Sequence, residues 1–293
     1  MIYMAGNHDI GFGPQIIPQA YSRYQKIFGD PNFSLTIANH TLVCIDTLSY
    51  SGAPESPYYQ KADKFVNDFL TNDPGIYPRI LLTHVPLFRP DNSPCGPLRN
   101  RPLIRQGRGY QYQNLIVEPL SNYILEHVKP VLILSGDDHD DCEYTHVLPK
   151  LMVPEHSIAT FSWLQGNIYP GFALLSLNGA GVTGLSDSKS HKIAKCSLPP
   201  QLLIYKWYIW FLVATLVGCI VLAIVNRGKP VWKSDKAAWA KKNDGDDIRG
   251  KGGENNGPVG IVMKVVGLSM FYFVEVLGAT LAVYAVLLIY DWL

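Results

Sequence analysis

Cysteine is too scarce in this chain to carry a fold. The five residues Cys44, Cys95, Cys142, Cys196 and Cys219 are scattered through 293, with no C-x-x-C pair. That excludes a disulfide scaffold and a thiolate zinc module. A bridge among Cys95, Cys142 and Cys196 stays open in an oxidising compartment, and spacing alone does not choose the pair. Cys219 lies in an apolar run and reads as a small hydrophobe. Net charge is nearly absent as well: 25 basic side chains stand against 24 acidic ones, a formal +1. Nothing in bulk electrostatics then argues for nucleic acid, and no such partner is expected. The first ten residues lack a charged segment followed by an apolar one, so no signal peptide is read there.

Three apolar runs each end in ligand-type side chains. The first opens the chain, Met1-Ile2-Tyr3-Met4, looks like the end of a strand, and leads into Gly6-Asn7-His8-Asp9-Ile10-Gly11. The second is Ile80-Leu81-Leu82-Thr83, followed by His84-Val85-Pro86. The third, Val131 to Leu134, leads into Gly136-Asp137-Asp138-His139-Asp140-Asp141-Cys142. Such runs read as buried strands. Open α/β sheets place their ligands just beyond the carboxyl ends of strands. Asp137 and His139, two residues apart, are hard and borderline donors able to turn toward one cation. An acid-rich loop is also what an ordinary solvated surface carries, so the third stretch alone is a moderate signal.

The order GNHD, then a lone histidine, then G-x-x-H resembles the calcineurin-like metallophosphoesterases. GNHDIG, Gly96-Pro97-Leu98-Arg99, Gly109-Tyr110-Gln111-Tyr112-Gln113-Asn114 and GDDHDDCEY resemble one branch, the membrane-bound eukaryotic enzymes that remodel the glycan of glycosylphosphatidylinositol (GPI) anchors. The resemblance covers most of residues 1–180 and reaches the apolar segments beyond. It implies an α/β fold, an incomplete four-layer α-β-β-α sandwich followed by two transmembrane helices. It also implies two divalent cations, most naturally Mn²⁺, which neutralise phosphate oxygens and activate a water. Asn7, His84 and Asp137 then match ligands of the second metal and His139 a ligand of the first. His8 matches the proton donor to the leaving oxygen, and Asp9 the acid that orients it. Asp137 departs from the superfamily's G-H-x-H, and a carboxylate there favours Mn²⁺ or Mg²⁺ over zinc. Asp138, Asp140 and Asp141 read as supporting or surface acids, Cys142 as structural, and His146 and His156 as ordinary strand or loop histidines.

The superfamily pattern begins with D-x-H and GD-x-x-D, which supply most ligands of the first metal, and this chain starts at GNHD. The expectation is a truncated chain, impaired in catalysis as it stands. The implied reaction is removal of ethanolamine phosphate from a mannose of the GPI glycan, with GPI-anchored proteins as substrates. Loss of turnover with cargo binding retained is one alternative, and another lipid or nucleotide diester is a second.

Along the chain, the spacing predicts helices over Gln19–Phe28, Glu55–Leu70 and Leu115–Val128. It predicts a hairpin over Phe33–Ile37 and Thr41–Asp46 with a turn at Asn39-His40, and short strands over Tyr144–Leu148, Ser157–Trp163 and Phe172–Leu177. His40 reads as a turn residue. Pro86 to Gln113 is a long loop carrying Arg99, Arg101, Arg105 and Arg108. Loops of that length are usually functional or disordered. A substrate-facing role for Arg99, Arg105 and Tyr110 is set against a solvated basic loop.

Residues 1–195 are read as the phosphoesterase domain. Two spans follow, 203–225 and 261–290, around an uncharged run and a second run interrupted only by Glu275, each long enough for a bilayer. Lys206, Arg227 and Lys229 flank the first, and Tyr205, Trp207, Tyr208 and Trp210 form an aromatic belt. Glu275 in the second reads as a functional membrane acid, as a partner of Lys206 or Lys264, or as facing a partner helix. The loop 226–258 holds eight Lys or Arg against five acids. Its composition is that of a disordered segment, and the positive-inside rule puts it in the cytosol. The domain then faces the lumen, and the resemblance implies an endoplasmic reticulum or Golgi membrane.

Overall fold

The computed structural model describes residues 1–110, 112–149, 151–179, 190–226 and 258–291. They fall into two units, Met1–Leu202 and Leu203–Leu293. The first unit is built on a six-stranded sheet of β1 (Phe33–Ile37), β2 (His40–Cys44), β3 (Arg79–Thr83), β6 (Leu132–Ser135), β8 (Leu151–Ser157) and β7 (Cys142–Leu148), in that spatial order. β2, β3, β6 and β8 run parallel, and β1 and β7 are antiparallel edges. A two-stranded ribbon, β4 (Arg108–Gly109) with β5 (Tyr112–Gln113), stands in the long loop. A separate pair is formed by β9 (Gly171–Leu177) and β10 (His191–Ser197).

Alternation along the central strands sorts the two faces. Val43, Leu81 and Ile133 enter the main core with Tyr21 and Tyr24 of α2 (Pro18–Phe28), Ala62, Val66 and Phe69 of α4 (Pro57–Asn72), and Ile124, Leu125 and Val128 of α5 (Glu118–Val128). Their neighbours Ile80 and Leu132 face the other way, with Leu175 and Leu177 of β9 packed on them. Helices therefore cover one face and the β9–β10 pair the other. Proline marks the helix starts: Pro18, Pro57 and Pro119 sit at the first positions, where the missing N–H costs nothing. Asp46 caps α3 (Thr47–Tyr50) by accepting the Ser49 N–H, and Ser56 caps α4 by accepting the Tyr58 N–H.

Several expectations shift. Residues 1–6 form no strand and lead directly into α1 (Asn7–Ile10). The hairpin turn is Ala38-Asn39, both at positive φ (47° and 56°), because Ile37 pairs with His40. His40 is therefore not a turn residue. It begins β2, is wholly buried, and bonds Ala38 O and Ser190 Oγ. The strand placed at Ser157–Trp163 ends at Ser157 and starts at Leu151, and Trp163–Gln165 is a 3-10 turn. Pro154 disguises that strand. It lies opposite Thr145 of β7 but below the stretch of β8 that pairs with β6, so its missing N–H breaks no bond on the β6 side.

In the second unit, α6 (Gln201–Asn226) and α7 (Pro258–Asp291) carry apolar stretches over Gln201–Val225 and Val262–Leu281 that are long enough to cross a membrane. Only 11% and 6% of those stretches are buried, so neither is a core helix. Glu275 is exposed on α7. The expected basic loop falls on residues 227–257, outside the described residues.

Candidate metal centre

β3 and β6 are adjacent and parallel, so their carboxyl ends deliver His84 and the Asp137 loop side by side. The Gly136 N–H donates to His84 O at 2.9 Å and pins the two ends together. Asn7 enters from the start of α1. His84 Nε2 lies 3.2 Å from Asn7 Oδ1 and 3.3 Å from Asp137 Oδ1. Three sequence-distant donors thus converge. Ligands at about 2.1 Å in octahedral geometry stand about 3 Å apart, so these separations fit a small oxygen-loving cation. Among the described residues no group of three or more His, Cys, Asp and Glu side chains meets the arrangement for a metal. Here the third donor is an amide.

The local backbone explains the residue types. A Cβ on Gly6 would press on the His84 ring at 3.1 Å, so glycine precedes Asn7. Asp137 and His139 both have positive φ, 59° and 66°. Asp138 N–H closes a three-residue turn on Gly136 O at 2.7 Å. Asp and His tolerate left-handed backbone better than most residues, and such conformations concentrate at functional sites. Asp9 accepts the Gly6 N–H at 2.9 Å and caps α1.

Asn7, His8, Asp137, Asp138 and His139 line one cleft of about 560 Å³ with Arg101, Tyr110, Tyr112 and Asn114. Burial above all, with help from Arg101, holds the His139 pKa below its usual value against the pull of Asp137, keeping the ring a neutral donor. Arg99 and Arg105 are not in the cleft wall. Arg99 turns its guanidinium onto Asp138 and Pro102 O, and Arg105 is exposed and donates to Asn92. Burial raises the Asp138 pKa, and Arg99 opposes that rise. Arg101 takes the place expected of them. Its backbone N–H and that of Asn100 both donate to Asp140 Oδ2 at 2.7 Å. Buried Asp140 thereby ties the long loop to the residue beside His139. Asp141 pairs with Lys195 at 3.0 Å.

Two supports flank the site, a bridge that spacing left open among three cysteines and a glutamate that no pattern marks. Cys95 and Cys142 form the disulfide, leaving Cys196 free, and so staple the long loop to the start of β7. Glu155, on β8 and wholly buried, accepts from Ser135 Oγ at 2.6 Å and from the Leu87 N–H at 3.2 Å. Its other oxygen meets His146 at 2.6 Å and Arg89 at 3.1 Å. Burial alone would raise the Glu155 pKa, but Arg89, then His146, then Ser135 outweigh it, and the carboxyl is held below its usual value.

No family model matches the chain. It is 34% identical over 220 residues to cell division control protein 1 of Saccharomyces cerevisiae, covering 71% of this chain and 44% of that protein. It is 25% identical over 246 residues to metallophosphoesterase 1 of Danio rerio, with 77% and 59% covered. With a metallophosphoesterase 1 homolog of Caenorhabditis elegans it shares 24% over 229 residues, with 77% and 58% covered. The chain spans about half the length of the curated relatives it matches.

Proposed function

We propose, from the premise that relatives named metallophosphoesterase support that family for this chain, that it acts as a metal-dependent phosphodiesterase. The observation that carries the reading is that Asn7 Oδ1 and Asp137 Oδ1 both come within 3.3 Å of His84 Nε2, from separate elements. In this proposal those three hold one divalent cation, Mn²⁺ by donor hardness, and His139 serves a second. The cations supply charge neutralisation and an activated water. The chain's own groups do the rest. Arg101, at the cleft wall, binds the non-bridging phosphate oxygens, since guanidinium suits them in pairs. His8, exposed in the same cleft, holds the proton for the leaving oxygen. Tyr110 and Tyr112 line the cleft where a sugar or headgroup would rest.

The finer reading rests on the resemblance in the loop motifs. The substrate is ethanolamine phosphate on a mannose of the GPI glycan, carried by GPI-anchored proteins at an endoplasmic reticulum or Golgi membrane, with the domain lumenal. The complete four-layer sandwich belongs to the same proposal. The test compares His8→Ala with the unchanged protein. His8→Ala is expected to retain Mn²⁺ and to lower kcat on a diester by about 10²-fold or more. Unchanged kcat in that variant would remove His8 from the reaction. A wild-type protein that binds GPI-anchored cargo without turnover would replace hydrolysis by a binding role.

A further inference from the structure

The sequence contains two N-x-Ser/Thr triplets, Asn32-Phe33-Ser34 and Asn39-His40-Thr41. In a secretory lumen this triplet is the acceptor for N-glycosylation. The fold treats the two asparagines in opposite ways. Asn32 is 6% exposed, and its Oδ1 accepts the Asp46 N–H at 2.8 Å, which fixes the side chain inward. Its Nδ2 is buried, so a sugar there would have to displace the wall around it. Asn39 is exposed at the tip of the β1–β2 hairpin, the second of two positive-φ residues in a two-residue turn. Its Nδ2 donates to Gly179 O at 2.9 Å, and the amide keeps one N–H after substitution. A glycan on Asn39 therefore projects from the turn without entering the core.

Two independent observations put the hairpin on the side where the modifying enzyme works. The basic loop between the apolar helices assigns the domain to the side opposite the cytosol. The Cys95–Cys142 disulfide lies in the same unit as Asn39, and disulfides persist in oxidising compartments.

We propose that Asn39, and not Asn32, is an N-glycosylation site of this protein. The proposal rests on the lumenal orientation of the preceding reading. The donor is an oligosaccharide linked to a lipid diphosphate. Asn39 Nδ2 forms a bond to the anomeric carbon, the bond from that carbon to the diphosphate oxygen breaks, and the amide gives up one proton as the lipid diphosphate leaves. No electrons change hands.

The full chain, made in eukaryotic cells, is compared before and after treatment with an N-glycosidase, and the site is read by peptide mass spectrometry. Asn39→Gln is made beside Asn32→Gln, and wild-type peptides settle the site even if a variant folds poorly. Sealed microsomes treated with protease report the orientation separately. The expected result is one glycan per chain, lost in Asn39→Gln and kept in Asn32→Gln, with residues 1–195 protected. Protected residues 1–195 with unmodified Asn39 would overturn the site and leave the orientation standing. Digested residues 1–195 with unmodified Asn39 would overturn both. A glycan on Asn32 alone would overturn the burial argument.

Discussion

At the scale of single residues, the sequence singled out the donors that come together, while the cleft wall holds Arg101 and not Arg99 or Arg105. Asn7, His84 and Asp137 were legible because each follows an apolar run, and the structure brings the three together. The four arginines of the long loop carry no period, so nothing in their spacing says which one turns inward. The choice is made by Asp140 and Asp138. Asp140 holds the Arg101 backbone, and the Arg101 side chain lines the cleft while donating to Gln165 O, whereas Asp138 draws Arg99 away. Arg101→Ala is expected to raise KM by about tenfold, the worth of a charged hydrogen bond, with a smaller fall in kcat. Arg105→Ala leaves both parameters unchanged. Arg99→Ala lowers the melting temperature instead, because it leaves the partly buried Asp138 carboxylate without its partner. Steady-state kinetics and thermal unfolding on the three variants separate these outcomes.

At the scale of elements, helices and parallel strands were readable from their periods, with boundaries moved by local chemistry. The β8 strand was missed because Pro154 interrupts its pattern, and β10 because it is mixed in polarity. What no local pattern could show is that β8 carries Glu155 beneath the site. Its carboxylate takes the Ser135 hydroxyl, two residues before Asp137, and the Leu87 N–H, three residues after His84. Arg89 donates in turn to Cys142 Sγ at 2.9 Å and stacks 5.0 Å from the Tyr144 ring. Removing one member of such a pair leaves the other charge buried. Glu155→Ala is therefore expected to cost about 3–5 kcal/mol in denaturant unfolding. The sign of the pH dependence follows from the lowered Glu155 pKa. Its stabilisation is present above the ordinary glutamate range and is lost as pH falls through the lower native value. A wild-type acid limb that Glu155→Gln lacks is the expected unfolding profile; identical limbs would remove Glu155 from the acid response.

At the scale of the whole molecule, two units divide the work. The first presents a cleft at strand ends, and the second consists of helices with apolar stretches long enough for a bilayer. Length and composition made the second unit readable from sequence, since apolar runs of about 20 residues with few charges are long enough to span a bilayer. The orientation came from the charge of a loop outside the described residues, and for that reason the Asn39 glycan and protease protection matter to the functional reading. The proposed substrate was not legible in any single residue and rests on likeness in the loop motifs.

The central claim is that Asn7, His84 and Asp137 form a cation site, and calorimetric titration of the purified chain with Mn²⁺ tests it most directly. Wild-type protein is expected to bind Mn²⁺ with a measurable heat. Asp137→Ala, which deletes the charged donor, should weaken that binding by about 10-fold to 100-fold, and Asp137→His should restore binding with a preference moved toward zinc. Equal Mn²⁺ affinity in the wild type and in Asp137→Ala, or no Mn²⁺ binding in either, would contradict the account.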